Sequence, residues 1–206
     1  TCRDWSSDVC SSDLSPTPLL EGEAREKVIE TVVRPTLAEL ARRGIAYRGV
    51  LYAGLMITAD GPKVLEFNCR FGDPETQPVL SRTRGNLAEA MLACSEGRLH
   101  EARLDIERHP AVCVVLASAG YPQQPRTGDV IQGLDRAATV PGVHVFHAGT
   151  RRMADGSLVT SGGRVLGVTA SGRSFKEARE RAYEAVGHIR FAGMHYRTDI
   201  GKTFRG

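Results

Sequence analysis

Residues 64–77 read Val64-Leu65-Glu66-Phe67-Asn68-Cys69-Arg70-Phe71-Gly72-Asp73-Pro74-Glu75-Thr76-Gln77, a short apolar and polar alternation that runs straight into a loop of charge, amide and hydroxyl. On a strand, residues two apart share a face, so Glu66 and Asn68 present two oxygen ligands side by side while Leu65 and Phe67 face the other way. Hard oxygen donors suit Mg²⁺ or Mn²⁺, and a magnesium site of one or two protein ligands completed by nucleotide phosphates is a common design for phosphoryl transfer. A half-exposed strand with a polar face gives the same alternation. The loop that follows separates the two readings, because Gly72 and Pro74 fix its path and too many polar groups converge for a mere connector. Arg70 offers a planar fork suited to a carboxylate or phosphoryl group, and Asp73 and Glu75 suit an ammonium or amine.

Upstream, Val28, Ile29, Val32, Val33, Leu37, Leu40 and Ala41 recur at helical spacing, which predicts a helix over 21–43 with a kink or restart at Pro35 and a stop at Gly44. Residues 47–58 and 63–68 then read as a β-hairpin turning at Ala59-Asp60-Gly61. Downstream, Asn86 and Glu89 form a capping box for a helix over 87–96, stopped by Gly97. The charged, irregular stretch 99–110 is the expected linker between two domains. Beyond it, apolar runs at 112–118, 129–134, 143–148, 157–160 and 164–169 predict short strands. Ser174 and Glu177 cap a final helix whose inner face is Phe175, Ala178, Ala182, Ala185, Val186 and Ile189.

Composition narrows the classes. The chain has 206 residues, 41% hydrophobic and 25% charged, which is enough for one or two cores of ordinary size. No apolar run approaches the roughly 18–20 residues that span a bilayer, so no membrane partner is expected. The charge of +3 comes from 27 basic and 24 acidic residues without a basic run, so no nucleic acid is expected either. Five cysteines without CxxC spacing fit reduced thiols in a cytoplasmic protein, and Cys113, inside an apolar run, reads as plain core. His144 and His147 stand at an odd offset on a strand and make a poor metal pair. Gly162-Gly163 reads as a hairpin or bulge, or else as a phosphate-cradling turn.

Residues 1–14, TCRDWSSDVCSSDL, repeat Ser-Ser-Asp and have neither helical nor strand period. They resemble translated adaptor sequence, are expected to be foreign or disordered, and are set apart from the fold.

At EFNCRFGDPETQ the chain resembles the glycinamide ribonucleotide synthetase family, whose signature loop this stretch matches. YRGVLYAGLMI before it looks like the family's upstream strand. The resemblance runs from Ser15 to the C-terminus through Tyr121-Pro122, Phe146-His147-Ala148-Gly149-Thr150 and Thr160-Ser161-Gly162-Gly163-Arg164-Val165-Leu166. It implies an α+β chain: the distal lobe of an ATP-grasp fold over 15–98, the linker 99–110, and a small α+β C-terminal domain over 111–206.

The resemblance further implies that Glu66 and Asn68 bind the Mg²⁺ or Mn²⁺ that bridges ATP phosphates. Arg70 would stabilise charge on the transferred phosphoryl group or on glycyl phosphate, and Asp73, Glu75 and Gln77 would form the substrate loop. The implied partners are ATP, glycine and 5-phosphoribosylamine, joined through glycyl phosphate in purine biosynthesis by a monomer at full length. Two features depart from the wider pattern. Residues 51–55 carry no carboxylate, and the lobe bearing the Gly-rich lid and ATP-contacting lysines lies outside this sequence, so the chain is expected to be a C-terminal half, inactive alone. Another ATP-grasp carboxylate ligase, such as a purine-pathway or biotin-dependent carboxylase relative, and a noncatalytic module derived from the fold are the alternative readings.

Overall fold

The computed structural model describes residues 13–202. The elements run β1 (Leu14–Ser15), α1 (Glu23–Val28), α2 (Arg34–Arg42), β2 (Tyr52–Thr58), β3 (Gly61–Asn68), α3 (Thr76–Ser81), β4 (Thr83–Gly85), α4 (Leu87–Glu96), β5 (Leu104–Ile106), β6 (Ala111–Ala117), α5 (Leu134–Ala137), β7 (Val143–His147), β8 (Thr150–Arg152), β9 (Leu158–Thr160), β10 (Arg164–Ser171) and α6 (Phe175–His188). The class is α+β. The elements group into two compact units made of alternating stretches of chain: residues 17–72 and 83–106 in the first, and 13–16, 73–82 and 107–202 in the second.

In the first unit, α1 and α2 are joined through a π turn over Ile29–Val33. Pro35 has no N–H for the bond a regular helix needs there, and the chain widens just ahead of it, so that the Arg34 N–H reaches back to the Ile29 carbonyl. The expected kink is this wide turn, and Gly44, at φ 75°, follows the helix as predicted. Strands β2 and β3 pair antiparallel from Tyr52↔Asn68 to Thr58↔Gly61, leaving Ala59 and Asp60 as the turn. The register slips between Gly54↔Glu66 and Leu55↔Val64, which makes Leu65 a bulged residue. Strand β2 begins at Tyr52 rather than Tyr47. Helix α4 is capped as read: the Asn86 side chain accepts from the Glu89 N–H at 3.1 Å, and Gly97 closes the helix at φ 78°.

The expected linker over 99–110 is structured at its centre, because β5 pairs with β4 through Thr83↔Ile106 and Gly85↔Leu104. All three β5 residues are exposed, and the strand is only three residues long, so Leu104 and Ile106 are too short an alternation to mark it in a charged stretch.

The second unit is built on a four-stranded antiparallel sheet in the order β1-β6-β10-β7. Strands β6 and β10 are almost wholly buried, and α6 packs against both with Ala178, Ala182, Ala185 and Val186 fully excluded from water, as is Ile189, which stands just past the helix end in extended backbone rather than on its face as expected. Ser174 Oγ accepts from the Glu177 N–H at 3.2 Å as predicted, but the Glu177 carboxylate reaches one residue further back than a capping box requires and accepts from the Arg173 N–H at 2.6 Å. Burial of Val112, Val114, Leu116, Val165, Leu166 and Val168 in one cluster is worth roughly 1.5–3 kcal/mol per side chain against exposure.

Two further expectations change. Residues 1–12 of the proposed leader lie outside the described residues, but Leu14 pairs with Val112 and is buried in the core, so the end of that segment is part of the sheet. The stretch 129–134 makes only isolated bridges, Val130↔Val159 and Gln132↔Arg190. Gly128 and Gly133 bracket it with positive φ, which turns the chain at both ends.

Arg82 is buried, and its guanidinium donates from Nε to the His109 carbonyl at 2.8 Å, from Nη1 to Ser15 Oγ at 2.7 Å and from Nη2 to the Glu107 carbonyl at 2.6 Å. Replacing it strands these acceptors. Arg82→Met is expected to destabilise the second unit by on the order of 3 kcal/mol, read as a lower urea midpoint; an unchanged midpoint would show that water replaces the guanidinium at no cost.

Asp13 is buried, and loss of hydration pushes its carboxyl up from 3.8 to about 7, with Arg197 only partly opposing. Between those values the unfolded chain binds fewer protons than the folded one, so this group's contribution to stability falls as pH rises from about 4 to about 7 and is level above. Asp13→Asn removes the slope. Its melting temperature relative to wild type is therefore expected to rise between pH 5 and pH 8, and an offset constant with pH would show a hydrated, ionised Asp13.

Candidate functional site

Strand β3 brings Glu66 and Asn68 together: the Asn68 side-chain amide donates to Glu66 Oε1 at 3.2 Å, so the two share a side as the strand period requires. The bulge at Leu65 sets Glu66 opposite Gly54. A Cβ at Gly54 would stand 3.1 Å from Glu66 Cγ, so the absent side chain keeps room for the carboxylate. Leu65 and Phe67 are 46% and 42% exposed, and no apolar core covers them within their own unit.

Two hard oxygen side chains on an accessible strand fit Mg²⁺ or Mn²⁺ whose remaining ligands are phosphate and water. Among the described residues, no group of three or more His, Cys, Asp or Glu forms an all-protein cage. Arg70 is exposed, and its Nη1 donates to the neighbouring Phe71 carbonyl at 2.9 Å.

Between Gly72 and Asp73 the chain leaves the first unit for the second. Glu66, Asn68 and Arg70 thus belong to one unit, and Asp73, Glu75 and Gln77 to the other. Gln77 Nε2 donates to Asp73 Oδ1 at 3.3 Å, while Gln77 Oε1 is buried with no hydrogen-bond partner. Glu75 stands at the N-terminal cap position of α3, half-buried, where its charge acts on Asp13 and Cys113.

A residue not singled out by sequence completes the loop's anchorage. Arg164, the first residue of β10, donates from Nη1 to the Asp73 carbonyl at 2.6 Å and lies 3.1 Å from Asp73 Oδ2. Its Nε donates to the Tyr121 hydroxyl at 3.0 Å. The tract Gly162-Gly163-Arg164 was visible in the sequence, but nothing local joins it to a partner 91 positions away.

The glycine pair serves as a connection between β9 and β10. The Gly162 and Gly163 carbonyls accept from Ser118 Oγ at 3.1 and 3.4 Å, and the Gly163 carbonyl also accepts from the Ser118 N–H at 2.9 Å. A Cβ at Gly163 would lie 2.2 Å from the Tyr121 ring.

Burial pushes the Cys113 thiol up to about 12, so it stays protonated in the core. His144 and His147 are exposed, and His147 Nδ1 lies 3.1 Å from Thr150 Oγ1.

Comparison with known proteins first gives the class. Residues 11–76 match the model described as "Phosphoribosylglycinamide synthetase, ATP-grasp (A) domain" and residues 111–203 that described as "Phosphoribosylglycinamide synthetase, C domain". The biotin carboxylase domain of Hydrogenobacter thermophilus 2-oxoglutarate carboxylase superimposes with a TM-score of 0.60 over 92% of this chain and 43% of that one, at 17% identity, a likeness of fold alone. This is an ATP-grasp chain. The crystal structure of phosphoribosylamine–glycine ligase from Thermotoga maritima superimposes with a TM-score of 0.71 at 35% identity, over 90% of this chain and 45% of that one. The Allochromatium vinosum protein of the same name is 50% identical over 188 residues, 91% of this chain and 44% of that protein. The chain belongs to the phosphoribosylglycinamide synthetase family and spans a little under half the length of these relatives.

Because the Tyr121 ring occupies the space a side chain at Gly163 would need, Gly163→Ala is expected to cost about 1–3 kcal/mol. Tyr121→Ala in the same chain should recover part of that loss in urea melts; no recovery would place the strain elsewhere.

Proposed function

We propose that the full-length protein carrying this chain is a phosphoribosylamine–glycine ligase. ATP transfers its γ-phosphoryl group to the glycine carboxylate to give an acyl phosphate; the amine of 5-phosphoribosylamine then attacks the acyl carbon, and the amide forms as phosphate leaves, with ADP the other product. The observation that carries the reading is the adjacency within EFNCRFGDPETQ of two kinds of group. One is an oxygen pair on a strand, Glu66 and Asn68, with a side-chain contact that holds them on one side. The other is a loop whose carboxylate, Asp73, is anchored by Gln77 and Arg164.

Each residue has a distinct task. A Mg²⁺ or Mn²⁺ ion held by Glu66 and Asn68 would supply charge neutralisation on the ATP phosphates. Arg70 offers its fork to the transferred phosphoryl group or to the acyl phosphate, where charge develops. Asp73, Glu75 and Gln77 hold the amine-bearing substrate, so that positioning does the greater part of the work. No nucleophilic side chain is required. The cysteines Cys69, Cys94 and Cys113 are free, which suits a cytoplasmic protein.

In a protein of the relatives' full length, Glu66→Gln is expected to lower glycine-dependent ADP release by about 100-fold or more, with the melting temperature unchanged. ADP release driven by bicarbonate and not by glycine would replace this reading with a carboxylase, and unchanged turnover in Glu66→Gln would remove the metal role.

A further inference from the structure

We propose that Arg164 is a positioning residue of the ligase: it fixes the orientation in which Asp73 meets the amine-bearing substrate, and Tyr121 with the Gly162–Gly163 bend exists to aim it. The proposal rests on the substrate role given above to the loop from Asp73 to Gln77.

The geometry is that of a clamp. A single nitrogen, Arg164 Nη1, bonds the main-chain carbonyl of Asp73 at 2.6 Å and lies 3.1 Å from its carboxylate oxygen Oδ2. Gripping both ends of one residue leaves its side-chain torsions little freedom. The other carboxylate oxygen, Oδ1, takes the Gln77 amide at 3.3 Å. Each oxygen thus has one protein donor and lone pairs to spare, and the Asp73 side chain remains 53% exposed, so the carboxylate is oriented yet reachable.

Stability does not explain the pair. Arg164 is itself 38% exposed in its side chain, and ion pairs this open are worth only about 0–1 kcal/mol. The surroundings are nevertheless constrained. Strand β10 starts at Arg164, and its register against β6 shifts between Arg164↔Ala117 and Leu166↔Leu116, the kind of bulge that re-aims a side chain. The Tyr121 hydroxyl accepts from Arg164 Nε at 3.0 Å, holding the guanidinium from the side away from Asp73. Tyr121 can stand there because position 163 carries no side chain: even a Cβ would come within 2.2 Å of its ring. A bulge, a glycine and a tyrosine together fix the direction of one arginine. Burial pulls the guanidinium pKa down, but Tyr121 and Asp73 outweigh it and the net direction is up, so the clamp stays charged at any working pH.

The test has two arms. In this chain, Arg164→Met and Tyr121→Phe should each speed amide exchange over residues 73–77 while leaving α6 protected. Unchanged exchange in Arg164→Met would show that the loop keeps its conformation without the clamp and would overturn the proposal, whatever the enzyme does. In the full-length ligase, Arg164→Met should raise the KM of glycine or of 5-phosphoribosylamine by on the order of 10- to 100-fold and leave that of ATP in place. Arg164→Lys should recover part of the loss. The effect must also pass through Asp73: in an Asp73→Asn background, adding Arg164→Met should cost little more. Fully additive losses, or an equal rise in all three KM values, would overturn the positioning role. Absence of any glycine-dependent turnover in the unmutated full-length protein would instead strike the ligase reading, while the exchange result would still stand or fall separately.

Discussion

The second unit is assembled from three separate stretches of chain, and one buried guanidinium touches all of them. Arg82 lies at the end of the stretch 73–82, reaches Ser15 in the stretch 13–16, and takes the carbonyls of Glu107 and His109 in the stretch that starts at 107. Burying such a group is expensive unless its donors are matched, and here Nε, Nη1 and Nη2 all find oxygens. The apolar packing of β6, β10 and α6 supplies the bulk of the stabilisation, yet it is indifferent to how the entering segments are arranged. Arg82 is not, because its fixed fork accepts only one placement of the three.

The two units differ in what holds them. In the second, whole strands are excluded from water and α6 presents an unbroken small-residue face. In the first, Val32, Ala90 and Ala93 are the buried apolar side chains among the described residues, while the hairpin leaves Met56, Ile57, Val64, Leu65 and Phe67 open. The oxygen pair of Glu66 and Asn68 therefore sits on a hairpin shaped mainly by its own ladder and bulge.

What the sequence made legible was local. Asn86 with Glu89 and Ser174 with Glu177 act across three residues, and in both the N-cap side chain accepts as read, while Glu177 reaches back to the Arg173 N–H rather than to that of Ser174. The side-by-side placement of Glu66 and Asn68 follows from strand period alone. Pairings between distant, short or exposed segments were not legible: β5 has no buried residue to mark it, and Leu14 finds its partner at Val112. For the same reason Asp73 could be proposed for the site but Arg164 could not. The bulge at Leu65 was hidden too, since nothing in Val64-Leu65-Glu66 says which residue the opposite strand will skip.

The alternation of stretches between the units also sets an order of events during folding. The sheet's edge strand β1 must wait for β6, nearly a hundred positions later, and Arg82 lacks two of its acceptors until residues 107–109 exist. Loop closure over such distances grows only slowly with length in free energy, but it delays the pairings that need it. On a ribosome, the helices and hairpin of the first unit are complete while the early pieces of the second still hang unpaired. Neither unit can be cut out as one continuous piece of polypeptide, so a truncation anywhere between 17 and 106 removes part of both.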